Sequence, residues 1–366
     1  MSLSELIGSA SALMLRQLDP EMAHNLAVTA MRFNLAPGLP KVIDDRLRVS
    51  FFDMELDHPV GLAAGFDKDA EIADALLKQG FSHVEVGTVT PRPQPGNPKP
   101  RIFRLPEAAA VINRCGFNGK GHAHALKQLE KRGGRPGVIG VNIGANKDSE
   151  DRAADYVAGI KAFSGLASYF TVNISSPNTP GLRNLQASAA LSDLVARVVE
   201  ARDEMVPAVG RKTPVLVKIA PDLDEAALDD IAAVVATRDV DGLVVSNTTL
   251  SRNGVFGPAS VEPGGLSGKP LFERSTIVLA KMRERVGRAL PIIGVGGVGS
   301  GEDAYLKMAA GANLVQVYTA FIYGGGNAIN AITRDLADRI GKSGIASARA
   351  LTSSDSRTWA NQPLPA

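Results

Sequence analysis

Eight short runs of apolar, largely β-branched residues recur along this chain, at 60–64, 83–89, 138–143, 170–175, 215–220, 242–247, 292–297 and 314–320. Stretches with helical periodicity lie between them, among them 70–79, 191–205, 225–237 and 275–286. Strands that lack polar alternation are buried on both faces, and strands that alternate with helices build parallel sheets. Eight such units predict an α/β fold of the (β/α)8, or TIM-barrel, class. A doubly wound open sheet is the alternative, but no G-x-G-x-x-G follows the first run.

A bare barrel takes about 250 residues, and this chain has 366. The excess predicts attached segments rather than a second equal domain. Residues 3–18 place Leu3, Leu6, Ile7, Ala10, Leu13, Met14 and Leu18 on one helical stripe. Asp19-Pro20-Glu21 then reads as a cap, a first-turn proline and a first-turn acid. A second amphipathic helix follows, with Met22, Leu26, Thr29 or Ala30, and Phe33 on one side. Residues 34–40 form a Pro/Gly linker, and 46–58 alternate as a short hairpin does. The expected division is an N-terminal helical extension with its linker at 1–40, a barrel at 41–342 and a tail at 343–366. The tail is rich in Ser, Ala and Pro with a lone Trp359, a composition that predicts disorder or loose attachment. Within two long connections, the Pro-rich 91–100 and the Gly-rich 264–268 read as loops over a site.

Several function classes are excluded early. Net charge is +2 with no basic block, which argues against a nucleic-acid footprint. Cys115 is the only cysteine, so an internal disulfide, a Cys-rich zinc site and a self-contained iron–sulfur cluster are all ruled out. Electrons leaving this chain must travel through an organic cofactor or a bound acceptor. No run of 18 apolar residues exists to span a membrane. Acids at Glu5, Asp19 and Glu21 fit neither a transit peptide nor a secretory signal. The expectation is a bacterial-type chain on the cytoplasmic face of the cell membrane, attached from one side.

Barrel enzymes work at the C-terminal ends of their strands. Those ends carry Ala63 to Lys68, Thr88, Asn142, Asn173 to Thr179, Lys218, Ser246 to Thr248, Gly294 to Gly297, and Tyr318-Thr319. Asparagine and lysine dominate, and His and carboxylate pairs are scarce. An amide offers donors and an acceptor, which suits an imide or pyrimidine edge better than a metal; no metal site is expected. Single rim asparagines could equally cap helices and turns. The glycines after the seventh run and the turn after the eighth read as a phosphate cradle, helped by a helix start near Ser300.

Five motifs carry a resemblance. They are Ala63-Ala64-Gly65-Phe66-Asp67-Lys68-Asp69, Asn113-Arg114-Cys115-Gly116-Phe117-Asn118, Val172-Asn173-Ile174-Ser175-Ser176-Pro177-Asn178-Thr179, Gly264-Gly265-Leu266-Ser267-Gly268 and Ile293-Gly294-Val295-Gly296-Gly297-Val298. In order over residues 19–340, the chain resembles the class 2, quinone-dependent dihydroorotate dehydrogenases. Soluble members of that family carry Cys where this chain has Ser176, and membrane members carry Ser together with an amphipathic N-terminal extension.

The resemblance implies oxidation of (S)-dihydroorotate to orotate in de novo pyrimidine synthesis, with FMN as prosthetic group and a membrane quinone as acceptor. It implies Ser176 as the catalytic base. It implies FMN held by Ala64, Gly65, Phe66, Asp67, Lys68, Thr88, Asn142, Asn173, Lys218, Ser246, Gly268, Gly297, Tyr318 and Thr319. It implies dihydroorotate held by Lys68, Asn113, Arg114, Cys115, Gly116, Phe117, Asn173, Asn178, Asn247 and Thr248. His24 and Arg104 correspond by resemblance to polar residues at the quinone head, and no protein partner is implied. Cys115 stands where relatives often have a larger side chain, and Leu15 where some animal relatives have a glutamine near the quinone.

The chemistry is compatible with these roles. A free serine is a poor base and needs help from its surroundings, for which Thr179 and a water sheltered by Phe117 are the candidates. A helix or turn cap is the alternative for Ser176. The two terminal helices are expected to turn polar faces outward, leave an apolar slot between them for a lipid-soluble acceptor, and lie on the membrane by one face. The rival readings are a soluble member of the same family using fumarate or NAD, a phosphate-binding isomerase or lyase barrel, and a non-enzymatic membrane scaffold.

Overall fold

The computed structural model describes residues 2–365. Two helices come first, α1 (Leu3–Leu15) and α2 (Pro20–Arg32). The Asp19 carboxylate accepts from Glu21 N–H at 3.0 Å and Met22 N–H at 2.9 Å, and Pro20 occupies the first turn, where its missing N–H is not needed. The expected first helix ran to residue 18, but α1 stops at Leu15. The cause is Arg104, whose guanidinium donates to the carbonyls of Leu15, Arg16 and Leu18 at 3.3, 3.1 and 2.8 Å. A cation there satisfies the last carbonyls and complements the helix dipole.

A hairpin follows, β1 (Val49–Phe51) and β2 (Met54–Leu56), paired with Val49 opposite Leu56. The barrel strands are β3 (Val60–Leu62), β4 (His83–Val89), β7 (Val138–Ile143), β8 (Tyr169–Asn173), β9 (Val215–Ile219), β10 (Gly242–Val245), β12 (Ile292–Val295) and β13 (Leu314–Val317). They close in the order β10-β12-β13-β3-β4-β7-β8-β9, every pair parallel. Closure removes the open-sheet alternative. The strands are buried almost throughout, as continuous apolar runs require. Phe51 packs edge-on to Tyr169 at the start of β8, so the hairpin covers the N-terminal end of the barrel.

The remaining helices are α3 (Ala73–Leu77), α4 (Gly121–Glu130), α5 (Arg152–Phe163), α6 (Ser188–Val209), α7 (Glu225–Thr237), α8 (Phe272–Val286), α9 (Gly301–Ala309) and α10 (Thr319–Ser343). α10 breaks at Gly325, whose φ of 58° only glycine adopts without strain. α1 lies along α10, where Asn327 Nδ2 donates to Ser9 Oγ at 2.8 Å, and α2 rests against α3.

Residues 264–268 differ from expectation. They are not a loop but the strand β11 (Gly265–Gly268), joined to β6 (Ala110–Asn113) and β5 (Ile102–Leu105) in a three-stranded antiparallel sheet. Two glycines hid the strand, and its partners lie about 150 residues away. A second small core of Leu105, Ala110, Ile112, Val255 and Leu266 supports this sheet. Residues 91–100 remain a loop, as expected.

The tail also corrects an expectation. It folds into α11 (Ala348–Leu351) and α12 (Ser356–Ala360), which pack on α9 and α8. Ala348 and Leu351 are fully buried, the Trp359 ring meets Phe272 edge-on at 6.3 Å, and Lys281 Nζ donates to the Ala360 carbonyl at 2.8 Å. Small residues that read as disorder by composition here permit close approach, while three larger apolar side chains (Leu351, Trp359, Leu364) anchor the segment.

Candidate active site

A cavity of about 710 Å³ opens at the C-terminal end of the barrel, a size that accommodates a cofactor together with a small substrate. Its wall draws on nearly every βα connection. β3 leads into Ala64, Gly65 and Lys68, and β4 supplies Thr88. β8 ends at Asn173 and continues into Ser176 and Asn178, while β9 supplies Lys218. β10 leads into Ser246, Asn247 and Thr248, β12 into Gly297, and β13 into Tyr318 and Thr319. The small sheet roofs it with Asn113, Cys115, Gly116, Phe117 and Gly268.

Four expected residues stand elsewhere. Phe66 is packed between His24 and Phe321, with ring centroids 4.9 Å from each. The Asp67 carboxylate accepts the N–H groups of Glu71 at 2.8 Å and Ile72 at 3.0 Å, which makes it a turn cap, and burial raises its pKa to about 7. Arg114 turns its guanidinium outward to Glu262 at 2.6 Å and over the Phe103 ring, so its side chain braces the roof and does not face the cavity. Asn142 is fully buried one layer below the wall, where its Oδ1 accepts from Thr88 Oγ1 at 2.5 Å and Asn173 Nδ2 at 3.2 Å.

Lys218 is buried and Lys68 half-buried in the wall, and no ion pair joins either of them to a carboxylate among the described residues. Burial lowers both pKa values; the nearby acids Asp69 and Glu21 push Lys68 partly back, and Glu85 does the same for Lys218. Two desolvated cations without counter-ions fit a ligand that brings its own negative charge. Asn173 and Lys218 are register partners on β8 and β9, which is why both reach the same cavity. Lys68 Nζ also lies 3.2 Å from His24 Nε2 on α2, so the N-terminal extension touches the site directly. Burial, then Lys68, pushes the His24 pKa well below its usual value, which keeps the ring neutral and able to accept that hydrogen bond.

Ser176 is 6% exposed, and its Oγ accepts from Asn178 N–H at 3.3 Å. Asn178 Nδ2 in turn donates to the Asn113 carbonyl at 3.1 Å, tying the β8 loop to the roof. Thr179 Oγ1 is buried without a partner, a free hydroxyl three residues from Ser176. Burial raises the Cys115 pKa against the pull of Lys68 and Arg101, so this thiol stays protonated.

The far end of the cavity has the elements of an anion seat. α10 begins at Thr319 with no side-chain cap, beside the turn at Gly296 and Gly297. A Cβ on Gly297 would come within 2.4 Å of the Phe272 Cα, so the turn lies against the backbone at the start of α8. Free N–H groups at a helix start are an anion seat.

Ser267 and Gln316 also line the cavity and were not singled out from the sequence. Ser267 Oγ lies 2.9 Å from Thr319 Oγ1, inside a motif that had drawn attention to its glycines. Gln316 is a polar residue between valines on β13, a pattern that marks an inward-facing group.

Comparison with known proteins agrees with this geometry. The family model for dihydroorotate dehydrogenase matches residues 46–340. A dihydroorotate dehydrogenase (quinone) from Brucella ovis is 56% identical over 348 residues, covering 94% of this chain and 95% of that protein. Its counterpart from Brucella melitensis is 55% identical over the same shares. Among solved structures, dihydroorotate dehydrogenase from Eimeria tenella in complex with ferulenol superposes with a TM-score of 0.89 at 38% identity, covering 93% of this chain and 96% of that one. The ligand-free Eimeria tenella enzyme gives 0.88 at 38% identity, covering 92% and 99%.

Proposed function

We propose how the site performs its reaction from the premise that this chain belongs to the dihydroorotate dehydrogenase family. The protein oxidises dihydroorotate to orotate with a quinone as electron acceptor, a redox step of pyrimidine synthesis. The single observation that carries the assignment of roles is the cavity with two counter-ion-free lysines and an asparagine shelf beneath a serine-bearing loop.

Dehydrogenation removes a proton from C5 and a hydride from C6 of the dihydropyrimidine. Ser176 Oγ takes the C5 proton, and the buried Thr179 hydroxyl, which has no partner of its own, is the group available to receive it next. Lys68 pairs with the substrate carboxylate. Asn113, Asn173, Asn178 and Asn247 present amides to the ring's imide edge, and Thr248 with the backbone of 115–117 closes the pocket. A flavin bound beside the substrate would supply the hydride acceptor and the redox link to quinone.

The members of this family are flavoenzymes, and we assign FMN as the flavin. One phosphate seat fits a mononucleotide, and no dinucleotide fingerprint is present. Gly268, Gly297, Tyr318 and Thr319 would hold the phosphate; Ala64, Gly65, Thr88 and Ser246 would border the ring system. Lys218 would place positive charge against its pyrimidine edge. Denatured protein should release about one FMN per chain; recovery of FAD would contradict the assignment.

Quinone would approach along the N-terminal extension. Of thirteen exposed large hydrophobic side chains among the described residues, nine fall between Leu6 and Leu35. The expected arrangement had polar faces outward; the apolar side chains face outward instead, as a surface buried in lipid requires. No helix is long and apolar enough to cross a membrane among the described residues. Attachment to a membrane surface by this face fits both facts. His24 at Lys68 and Arg104, whose buried Nε has no partner, are the polar groups available to a quinone head.

A further inference from the structure

Two carboxylates are almost wholly buried among the described residues, Asp67 and Glu85. Asp67 caps a turn, while Glu85 touches neither substrate nor cofactor in the reading above, its one effect there being the charge it sets near Lys218. It sits on β4 at 0% exposure, inside the barrel and one layer below the cavity. Its Oε1 accepts from Asn142 Nδ2 at 2.7 Å, and its Oε2 accepts from Gln316 Nε2 at 3.0 Å and Tyr169 OH at 3.2 Å. Three donors from three other strands converge on one acid. The arrangement has space made for it: a Cβ on Gly140 would fall 2.2 Å from the Tyr169 ring, so only glycine there lets the phenol cross to Glu85.

We propose that Glu85 is a positioning residue that fixes the donor and acceptor directions of the asparagine shelf on which the pyrimidine lies. The inference rests on the reading that Asn173 and Asn247 hold that ring. A carboxylate only accepts hydrogen bonds, so Asn142 must turn its NH2 downward and its Oδ1 toward the rim. That oxygen receives Thr88 Oγ1 at 2.5 Å and Asn173 Nδ2 at 3.2 Å. Asn173 thereby commits its NH2 below and presents Oδ1 above. There it accepts from Ser175 Oγ at 3.1 Å and Asn247 Nδ2 at 3.3 Å. Asn247 then has its Oδ1 engaged by Thr248 N–H at 2.8 Å. Each amide could flip in isolation; chained to an obligate acceptor, none can without leaving a buried group unpaired.

The chain of contacts distinguishes loss of the acceptor from loss of the charge. In Glu85→Gln the new carbonyl can accept from Asn142. Its NH2 then meets Gln316, whose Oε1 is buried without a partner and can turn to receive it. In Glu85→Leu nothing accepts from Asn142, and the shelf loses its direction. Tyr169→Phe removes one donor to Glu85 and leaves the Asn142 contact in place.

The test is equilibrium titration of the flavin-loaded protein with orotate, read by the flavin absorbance change, alongside flavin content. Glu85→Leu should bind orotate at least about tenfold more weakly while keeping its flavin. Glu85→Gln and Tyr169→Phe should stay within about threefold of the parent. If Glu85→Leu does not accumulate as folded holoprotein, Glu85→Met takes its place in the comparison. Unchanged affinity in the apolar variant, or equal weakening in the Gln variant, would overturn the proposal. An unmodified protein whose flavin spectrum ignores orotate would overturn the reading of the shelf itself, and the proposal with it.

Discussion

At the scale of single residues, the assignment turns on which side chain removes the C5 proton. Ser176→Ala leaves the lysine and asparagine contacts in place, so orotate should still bind, whereas flavin reduction by dihydroorotate should slow by roughly 10²–10⁴-fold, the usual cost of losing a general base. Cys115→Ser should change that rate far less, because burial keeps the thiol protonated. Stopped-flow reduction of both variants decides it, and the assignment fails if the Cys115 variant is the slow one. The rim residues were legible because polar groups at the ends of apolar runs are conspicuous: Asn173, Lys218 and Asn247 all reach the cavity. Side-chain direction was not legible. Arg114 lies in the same motif as Asn113, yet Glu262, 148 residues away, draws it outward. Asn142 and Gln316 each stand in otherwise apolar strands and Glu85 lies between Val84 and Val86, and that placement was the available signal for a polar floor inside the barrel.

Whole elements divide along the same line. Helices with caps and apolar periodicity could be read directly: α2 has its Asp19-Pro20 start, and α7 spans the expected 225–237. Elements that depend on distant partners could not. β11 needs β6, and α12 needs α8 to cover it. Deleting residues 1–34 should abolish vesicle binding and lower long-chain quinone reduction at least about tenfold, while dihydroorotate still reduces the flavin in one turnover. Full quinone activity in the truncated protein would show that the extension is not the acceptor's route, although loss of the His24 contact to Lys68 makes a modest weakening of substrate binding expected as well. The tail makes a separate prediction. Trp359 packs on Phe272, whose backbone backs the Gly297 turn. Trp359→Ala should therefore release FMN several-fold faster as well as lower the melting temperature, with both changes read on the same preparation. Unchanged FMN release would leave the tail as a surface brace only.

For the molecule as a whole, buried titratable groups set how stability varies with pH. Burial lowers the pKa of His58, His83 and His122 from 6.5 to about 4, about 3 and about 4. A depressed imidazole contributes stability that is complete above 6.5 and is lost as pH falls through the folded value. Asp67 has the opposite sign: raised from 3.8 to about 7, its contribution is complete below 3.8 and is lost as pH rises through about 7. The two effects oppose each other between about pH 4 and 7, so Asp67→Asn should steepen the acid-side fall in melting temperature; an identical slope in the variant would contradict these burial effects. Fold, cavity and family together make one claim, that dihydroorotate gives its electrons to a flavin held in this barrel. Anaerobic addition of dihydroorotate to the purified holoprotein tests it directly. The visible absorbance of the oxidised flavin should bleach at about one equivalent of substrate, with orotate formed in step, and return when a quinone is added. A flavin that stays oxidised with excess dihydroorotate would contradict the claim.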